Sequence, residues 1–244
     1  FEEAFEEYLH GIDGQRVDVV SKDGTIVEQF WRVNQKTGEV YTPIAGNNVE
    51  TTIDLELQGI AEDSLANIMK ELTDPEKNTS KDESNGLDAE GAAVIVMKVK
   101  TGEILACASY PTYNLSNFDQ DYSKLVSDTV GTPLLNRAIG GAYAPGSTFK
   151  PCTAVAALES GIITPSSTIV DRGVYDYYKS PQPRCWIYSS YGSTHGRVNV
   201  SEAITVSCNY FFYECGSRLG ETRLYQYAAA FGLTSKTGID LPGE

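Results

Sequence analysis

Ser147 and Lys150 stand three positions apart at the mouth of an apolar run, Ala144-Pro-Gly-Ser-Thr-Phe-Lys-Pro-Cys-Thr-Ala-Val-Ala-Ala-Leu-Glu-Ser-Gly161. Pro151 has no N–H and suits the first turn of a helix, while Gly161 suits its close. Positions three apart on a helix share a face, so the spacing predicts Ser147 and Lys150 within hydrogen-bonding reach of each other. A serine hydroxyl is a weak nucleophile until a base takes its proton. A lysine can be that base when burial or a positive neighbour lowers its pKa, and a helix N-terminus favours negative charge on the attacking oxygen. The same tetrapeptide also reads as a capping serine followed by a solvated lysine. What favours chemistry is a second polar element, Ser207-Cys208-Asn209, set before Tyr210, Phe211, Phe212 and Tyr213. Its competing reading is a loop with local side-chain to backbone bonds.

These residues need a scaffold, and the chain has material for one. It has 244 residues, 41% of them apolar and 21% charged, which suits one large globular domain plus extras. A net charge of −14 would repel phosphate, which argues against nucleic-acid and anionic-membrane binding. No apolar run approaches the ~18 residues that span a bilayer, and Phe1-Glu-Glu-Ala-Phe5 is not a signal peptide. Residues 1–50 read as a short helix (Phe1 to Leu9), a Gly11/Gly14 turn and hairpins over Val17, Val19, Ile26, Phe30 and Val40, punctuated at Asp23-Gly24 and Thr37-Gly38. Leu55, Ile60, Leu65, Ile68, Met69 and Leu72 predict an amphipathic helix. Residues 73–90 are polar and read as a flexible loop. Two strands follow, Ala92 to Val99 and Glu103 to Ser109, with Val94 to Met97 reading as buried on both faces.

Gly146-Ser-Thr-Phe-Lys150, followed 57 residues later by Ser207-Cys-Asn209, resembles the penicillin-binding proteins. Leu135-Asn-Arg-Ala138, Cys185-Trp186, His195-Gly196 and Phe231-Gly-Leu233 leading into Thr237-Gly-Ile-Asp-Leu-Pro-Gly-Glu244 extend the resemblance over nearly the whole chain, to the class B, elongation-type branch. It implies a mixed α+β transpeptidase fold with a central antiparallel sheet flanked by helices, preceded over residues 1–50 by the end of an N-terminal pedestal or linker. Residues 51–244 would be a partial transpeptidase domain.

The resemblance also assigns roles. Ser147 would attack the penultimate D-Ala carbonyl of a peptidoglycan stem peptide, with Lys150 as base. Ser207 would pass a proton to the leaving amine, and Asn209 would hold the substrate amide and Lys150. The acyl group would go to an amine of a neighbouring strand, and β-lactams would trap the serine. The implied setting is the extracytoplasmic face of the bacterial membrane, reached through an anchor outside this chain, beside a glycosyltransferase partner. A β-lactam sensor or β-lactamase on the same scaffold, and a non-catalytic scaffold protein, are the alternatives. A serine-hydrolase triad is a poor competitor, because Gly-x-Ser-x-Gly is absent and the only histidines are His10 and His195.

The family's third motif, Lys-Thr/Ser-Gly, supplies an oxyanion-hole donor. Lys236-Thr237-Gly238 matches it in letters but lies 27 residues after Asn209 and runs into a phrase that in the family precedes the third motif. It is read here as a decoy, the fold as incomplete at its C-terminus, and the chain alone as inactive, since losing one oxyanion donor costs on the order of 100- to 1,000-fold. No cofactor is required. The five cysteines show no disulfide spacing. Cys107 and Cys152 read as buried hydrophobes, whereas Asp171, Cys185, His195 and Cys208 are a set suitable either for ordinary burial or for tetrahedral zinc. The resemblance favours zinc, since some elongation-type relatives bind it with a similar set beside the active site.

Overall fold

The structure is a computed structural model, and it describes residues 1–78 and 86–243. The chain folds as two compact units, residues 1–67 with 91–139 and 240–243, and residues 68–78 and 86–90 with 140–239.

The first unit begins with helix α1 (Glu2–Leu9) and an antiparallel hairpin, β1 (Arg16–Val20) with β2 (Ile26–Trp31), turned at Asp23-Gly24. The short helix and hairpins read from residues 1–50 are therefore present, with a further bridge between Val33 and Val40. Helix α2 (Leu55–Leu72) is capped by Asp54, whose carboxylate accepts the Leu57 N–H. Its Leu57, Ala61 and Leu65 pack on Ala92, Val94 and Val96 of β3 (Ala92–Met97) and on Ala106 and Ala108 of β4 (Ile104–Tyr110). Gln58 fastens the helix to the strand edge, donating to the Cys107 carbonyl and accepting from its N–H. Only one face of β3 is covered: Ile95 and Met97 are exposed, so the apolar run Val94 to Met97 is not buried on both sides. The expected antiparallel sheet is present, among the described residues, as the β3–β4 hairpin. Helices α3 (Phe118–Ser127) and α4 (Arg137–Gly140) follow. Arg137 is buried and donates to the Gly131 and Thr132 carbonyls, which satisfies a charge that burial would otherwise penalise.

The second unit is built round helix α5 (Lys150–Glu159), whose Cys152, Thr153, Ala154, Ala156 and Ala157 are buried. These small residues let α7 (Val200–Thr205), α8 (Asn209–Leu219) and α9 (Glu221–Ala230) pack close against it. Gly161, with φ of +69°, closes α5, a backbone region natural to glycine. The core continues through Phe211, Phe212 and Cys215 of α8 to Ile169 of β5 (Ile169–Asp171) and Val198 of β6 (Gly196–Val198). Helix α6 (Trp186–Tyr191) completes the unit. Of the expected loop 73–90, residues 79–85 lie outside the described residues; 73–78 and 86–90 hold turns without helix or strand. No described helix is long and apolar enough to cross a membrane.

Candidate active site

Ser147 lies in a 3-10 turn, Gly146–Phe149, immediately before α5, and is exposed. Pro151 occupies the first turn of α5, as its missing N–H requires. Lys150 reaches the other polar pair: its Nζ donates to Ser207 Oγ at 2.8 Å, to the Ser207 carbonyl at 2.7 Å and to Asn209 Oδ1 at 2.7 Å. Ser207 Oγ lies 3.0 Å from Ser147 Oγ. Ser147 and Lys150 are thus linked through Ser207, where the helical spacing predicts a direct contact. The reason is local: Ser147 sits in the tighter turn, and three acceptors draw the ammonium to the α7–α8 connection.

That connection is unusual. Ser207 has φ of +50°, a left-handed conformation that costs a non-glycine residue roughly 1–2 kcal/mol. It ends α7, with the Ser207 N–H donating to the Ile204 carbonyl and the Cys208 N–H to the Ala203 carbonyl. The turn directs the Ser207 hydroxyl to Lys150 and lets Asn209 begin α8 with its amide oxygen on the same ammonium. The amide nitrogen of Asn209 lies 3.5 Å from the Arg184 carbonyl, which also accepts from Tyr213 at 3.4 Å. Burial lowers the pKa of Lys150, while the Cys185 and Cys208 sulfurs push it back up. The Phe212 ring, 5.7 Å from Nζ, forms an apolar wall.

Asp171, Cys185, His195 and Cys208 converge behind this tetrad, with their ligand atoms all within 4.8 Å of one another. Cys185 Sγ stands 3.9 Å from Cys208 Sγ and 3.4 Å from His195 Nδ1; Asp171 Oδ2 stands 2.9 Å from that nitrogen and 3.7 Å from Cys208 Sγ. Tetrahedral zinc, with bonds of about 2.0–2.3 Å, needs edges of about 3.3–3.8 Å. The observed spacings of 2.9–3.9 Å bracket those edges, and the set as a whole extends to 4.8 Å, so the four donors suit zinc in type and approach its shell in spacing. Both sulfurs are fully buried, and His195 Nε2 is buried without a partner. Burial raises the Asp171 carboxyl, but the His195 and Gly173 N–H groups that it accepts outweigh this and leave its pKa lowered. The Cys208 thiol, by contrast, is pushed up to about 12 by burial. Gly173 permits the crowding: a Cβ there would stand 2.2 Å from the Tyr188 ring.

Two supports of the site have no role assigned to them in the sequence reading. One is the Arg184 carbonyl, which faces Asn209. The other is Trp186, whose indole N–H donates 3.1 Å to the Val206 carbonyl while its ring lies 5.7 Å from that of His195. A backbone acceptor leaves no signature in side-chain letters, although the Cys185-Trp186 pair is a visible cue. All five cysteines are free. Lys236-Thr237-Gly238 lies in an exposed, irregular segment after α9 and on no strand.

Residues 92–244 match the penicillin binding protein transpeptidase domain. The peptidoglycan D,D-transpeptidase MrdA of Escherichia coli K12 is 34% identical over the whole of this chain, which covers 34% of that protein. The solved structure of PBP2 with MreC from Helicobacter pylori aligns over 99% of this chain and 40% of its own, with 27% identity and a TM-score of 0.69. That of Pseudomonas aeruginosa PBP2 in complex with WCK 5153 aligns over 97% and 51%, with 27% identity and a TM-score of 0.65. The chain spans about a third of the length of the curated relatives it matches. With the matched domain taking in the Ser147 turn and the Ser207–Asn209 connection alike, the chain belongs to the penicillin-binding protein transpeptidase family.

Proposed function

We propose that this chain carries the nucleophile half of a peptidoglycan D,D-transpeptidase site, with Ser147 as nucleophile, Lys150 as base, Ser207 as proton relay and Asn209 as the group that holds Lys150 and the substrate amide. The observation that carries the reading is the continuous path Ser147 Oγ to Ser207 Oγ to Lys150 Nζ, at 3.0 and 2.8 Å. With Lys150 neutral, Ser207 donates to it and Ser147 donates to Ser207. Attack of Ser147 Oγ on the penultimate D-Ala carbonyl then sends the serine proton to Ser207 as Ser207 gives its own to Lys150. When the tetrahedral adduct collapses, the peptide C–N bond breaks, and the proton returns through Ser207 to the departing D-Ala amine. An amine of a second stem peptide displaces Ser147 from the ester by the same path in reverse, leaving the cross-link. A β-lactam amide would acylate Ser147 likewise, without a leaving group that diffuses away.

The four donors Asp171, Cys185, His195 and Cys208 are proposed to hold zinc. When bound, it would tie β5, the start of α6, the segment before β6 and the Ser207–Asn209 turn into one rigid unit. The relatives named peptidoglycan D,D-transpeptidase MrdA support a place in cell-wall synthesis; the extracytoplasmic face of the bacterial membrane and a glycosyltransferase partner are proposed with that reading.

Gel labelling of the complete gene product with a fluorescent penicillin tests the reading. Label should map to Ser147, and Ser147→Ala should abolish it, a loss of at least about 1,000-fold, while the fold survives because this side chain is exposed. Label persisting on another residue, or none on the unsubstituted protein, would overturn the assignment.

A further inference from the structure

Between β5 and α6 the chain runs out and back over residues 172–184, and this excursion carries the aromatic run Tyr175-Asp-Tyr-Tyr-Lys179. The root of this excursion is well fixed. Val174 bridges Arg184, and the Tyr175 N–H donates to the Pro183 carbonyl at 2.8 Å. Tyr175 is 2% exposed and donates through its hydroxyl to Glu214, which is itself paired with Arg218. The tip is different. Tyr177 and Tyr178 pack on each other edge to face at 5.0 Å and on Tyr175 at 6.1 and 6.2 Å, yet remain 68% and 49% exposed. Two large rings held in place by their neighbours and presented to solvent form a pre-organised binding surface.

We propose that Tyr177 and Tyr178, with Lys179, form a ledge that binds the sugar rings of an anionic, glycan-linked peptide strand. The inference rests on the transpeptidase reading of the Ser147 site, and it extends the substrate from peptide to glycan. Three features select this ligand. A pyranose ring presents polarised C–H groups that suit the negative face of an aromatic ring, and phenol hydroxyls exchange hydrogen bonds with sugar hydroxyls. Beside the two tyrosines the excursion exposes no Leu, Ile, Val or Met, and Pro181 is its one other exposed apolar side chain, less than an apolar partner helix would need. Finally, residues 172–184 hold three basic groups, Arg172, Lys179 and Arg184, against one acid, Asp176, in a chain whose net charge is −14. That local excess of positive charge suits carboxylates on the strand. The root of the excursion touches the catalytic tetrad, where the Arg184 carbonyl lies 3.5 Å from the Asn209 amide.

Equilibrium titration of the complete gene product tests this with two probes, an uncross-linked disaccharide-pentapeptide and the same pentapeptide without its sugars. The unsubstituted protein should bind the sugar-bearing probe about ten-fold more tightly. Tyr177→Ala/Tyr178→Ala should erase that preference without weakening the free peptide, and Tyr177→Phe/Tyr178→Phe should restore most of it, since the phenyl faces remain. Equal binding of the two probes by the unsubstituted protein would overturn the proposal, as would a preference that survives in the alanine variant. Equal weakening of both probes by the alanine pair would overturn the sugar assignment in favour of a peptide contact. The two readings fail separately: labelling of Ser147 without a sugar preference removes the ledge alone, and a tyrosine-dependent sugar preference without labelling removes the acyl-transfer reading alone.

Discussion

Two polar clusters stand back to back in the second unit, and three consecutive residues serve both. Ser207 and Asn209 face Lys150 on the accessible side, while Cys208 between them faces Asp171 and Cys185 in the interior. The outer cluster consists of hydroxyls, an amide and an amine at hydrogen-bond distances, with the exposed Ser147 at its end. The inner one consists of soft sulfurs, an imidazole and a carboxylate gathered within 4.8 Å of one another. In the proposed role Ser147 must meet a substrate and keep a movable proton, which an open, protic cluster suits. A metal cross-link of the kind proposed must hold its geometry, and buried donors suit it. Placing both on one turn means that whatever stiffens Cys208 also stiffens the proton path.

The contrast between the clusters breaks most readily at Lys150. Lys150→Ala should lower the rate of penicillin acylation by about 100- to 10,000-fold, because it removes the proposed general base. In the unsubstituted protein the sign of the pH dependence follows from burial, which lowers the Lys150 pKa from its usual 10.5. In the proposed role the neutral amine is the acceptor, so acylation should rise with pH through a midpoint below 10.5; a midpoint at or above that value would contradict the assignment.

A finer cut falls on Ser207. Ser207→Gly deletes the relay hydroxyl but suits the left-handed backbone, so labelling should drop about 100-fold without a fall in the unfolding midpoint. A large loss of stability would mean that the serine is there for the fold.

The inner cluster is tested by metal analysis. Protein never exposed to chelators should carry close to one equivalent of zinc, and less than a tenth of an equivalent would sink the proposal. Chelation should lower the unfolding midpoint by about 5–10 °C, taking about 2.7 kcal/mol for a site saturated 100-fold above its Kd.

The smallest effect expected is at Asn199, whose side chain accepts the Glu202 N–H while Glu202 accepts the Asn199 N–H in return. Asn199→Ala should cost about 1 kcal/mol by removing this cap, with Ser147 still labelled. Differential scanning calorimetry beside gel labelling would check both halves. A loss of labelling as large as that in Ser207→Gly would show that the α7 cap, rather than the Ser207 hydroxyl, controls the tetrad.

Much of the site was legible because its members announce themselves by type and spacing. Ser147 with Lys150, Ser207 with Asn209, and the pair of cysteines with His195 and Asp171 are chemically distinctive letters. The helix over Leu55–Leu72 and the β1–β2 hairpin were legible from periodicity and from Asp23-Gly24. The one-sided burial of β3 was not, since four apolar residues in a row do not tell whether a second layer covers the strand. The Arg184 carbonyl was invisible, because any residue has one.

The sequence by itself determined the chemical inventory: which groups can attack, accept a proton or bind a soft metal, and that a proline and a glycine bound the helix that follows the nucleophile. These are properties of residue types and of local backbone preference. Only the tertiary structure decided how the inventory is wired. Ser147 reaches Lys150 through Ser207, although the helical period favours direct contact, and residues 171, 185, 195 and 208 meet within 4.8 Å. The physical reason is that wiring depends on the packing of α5 against α7 and α8 and on a single left-handed residue between those two helices. Those long-range contacts have no expression in the spacing of the letters.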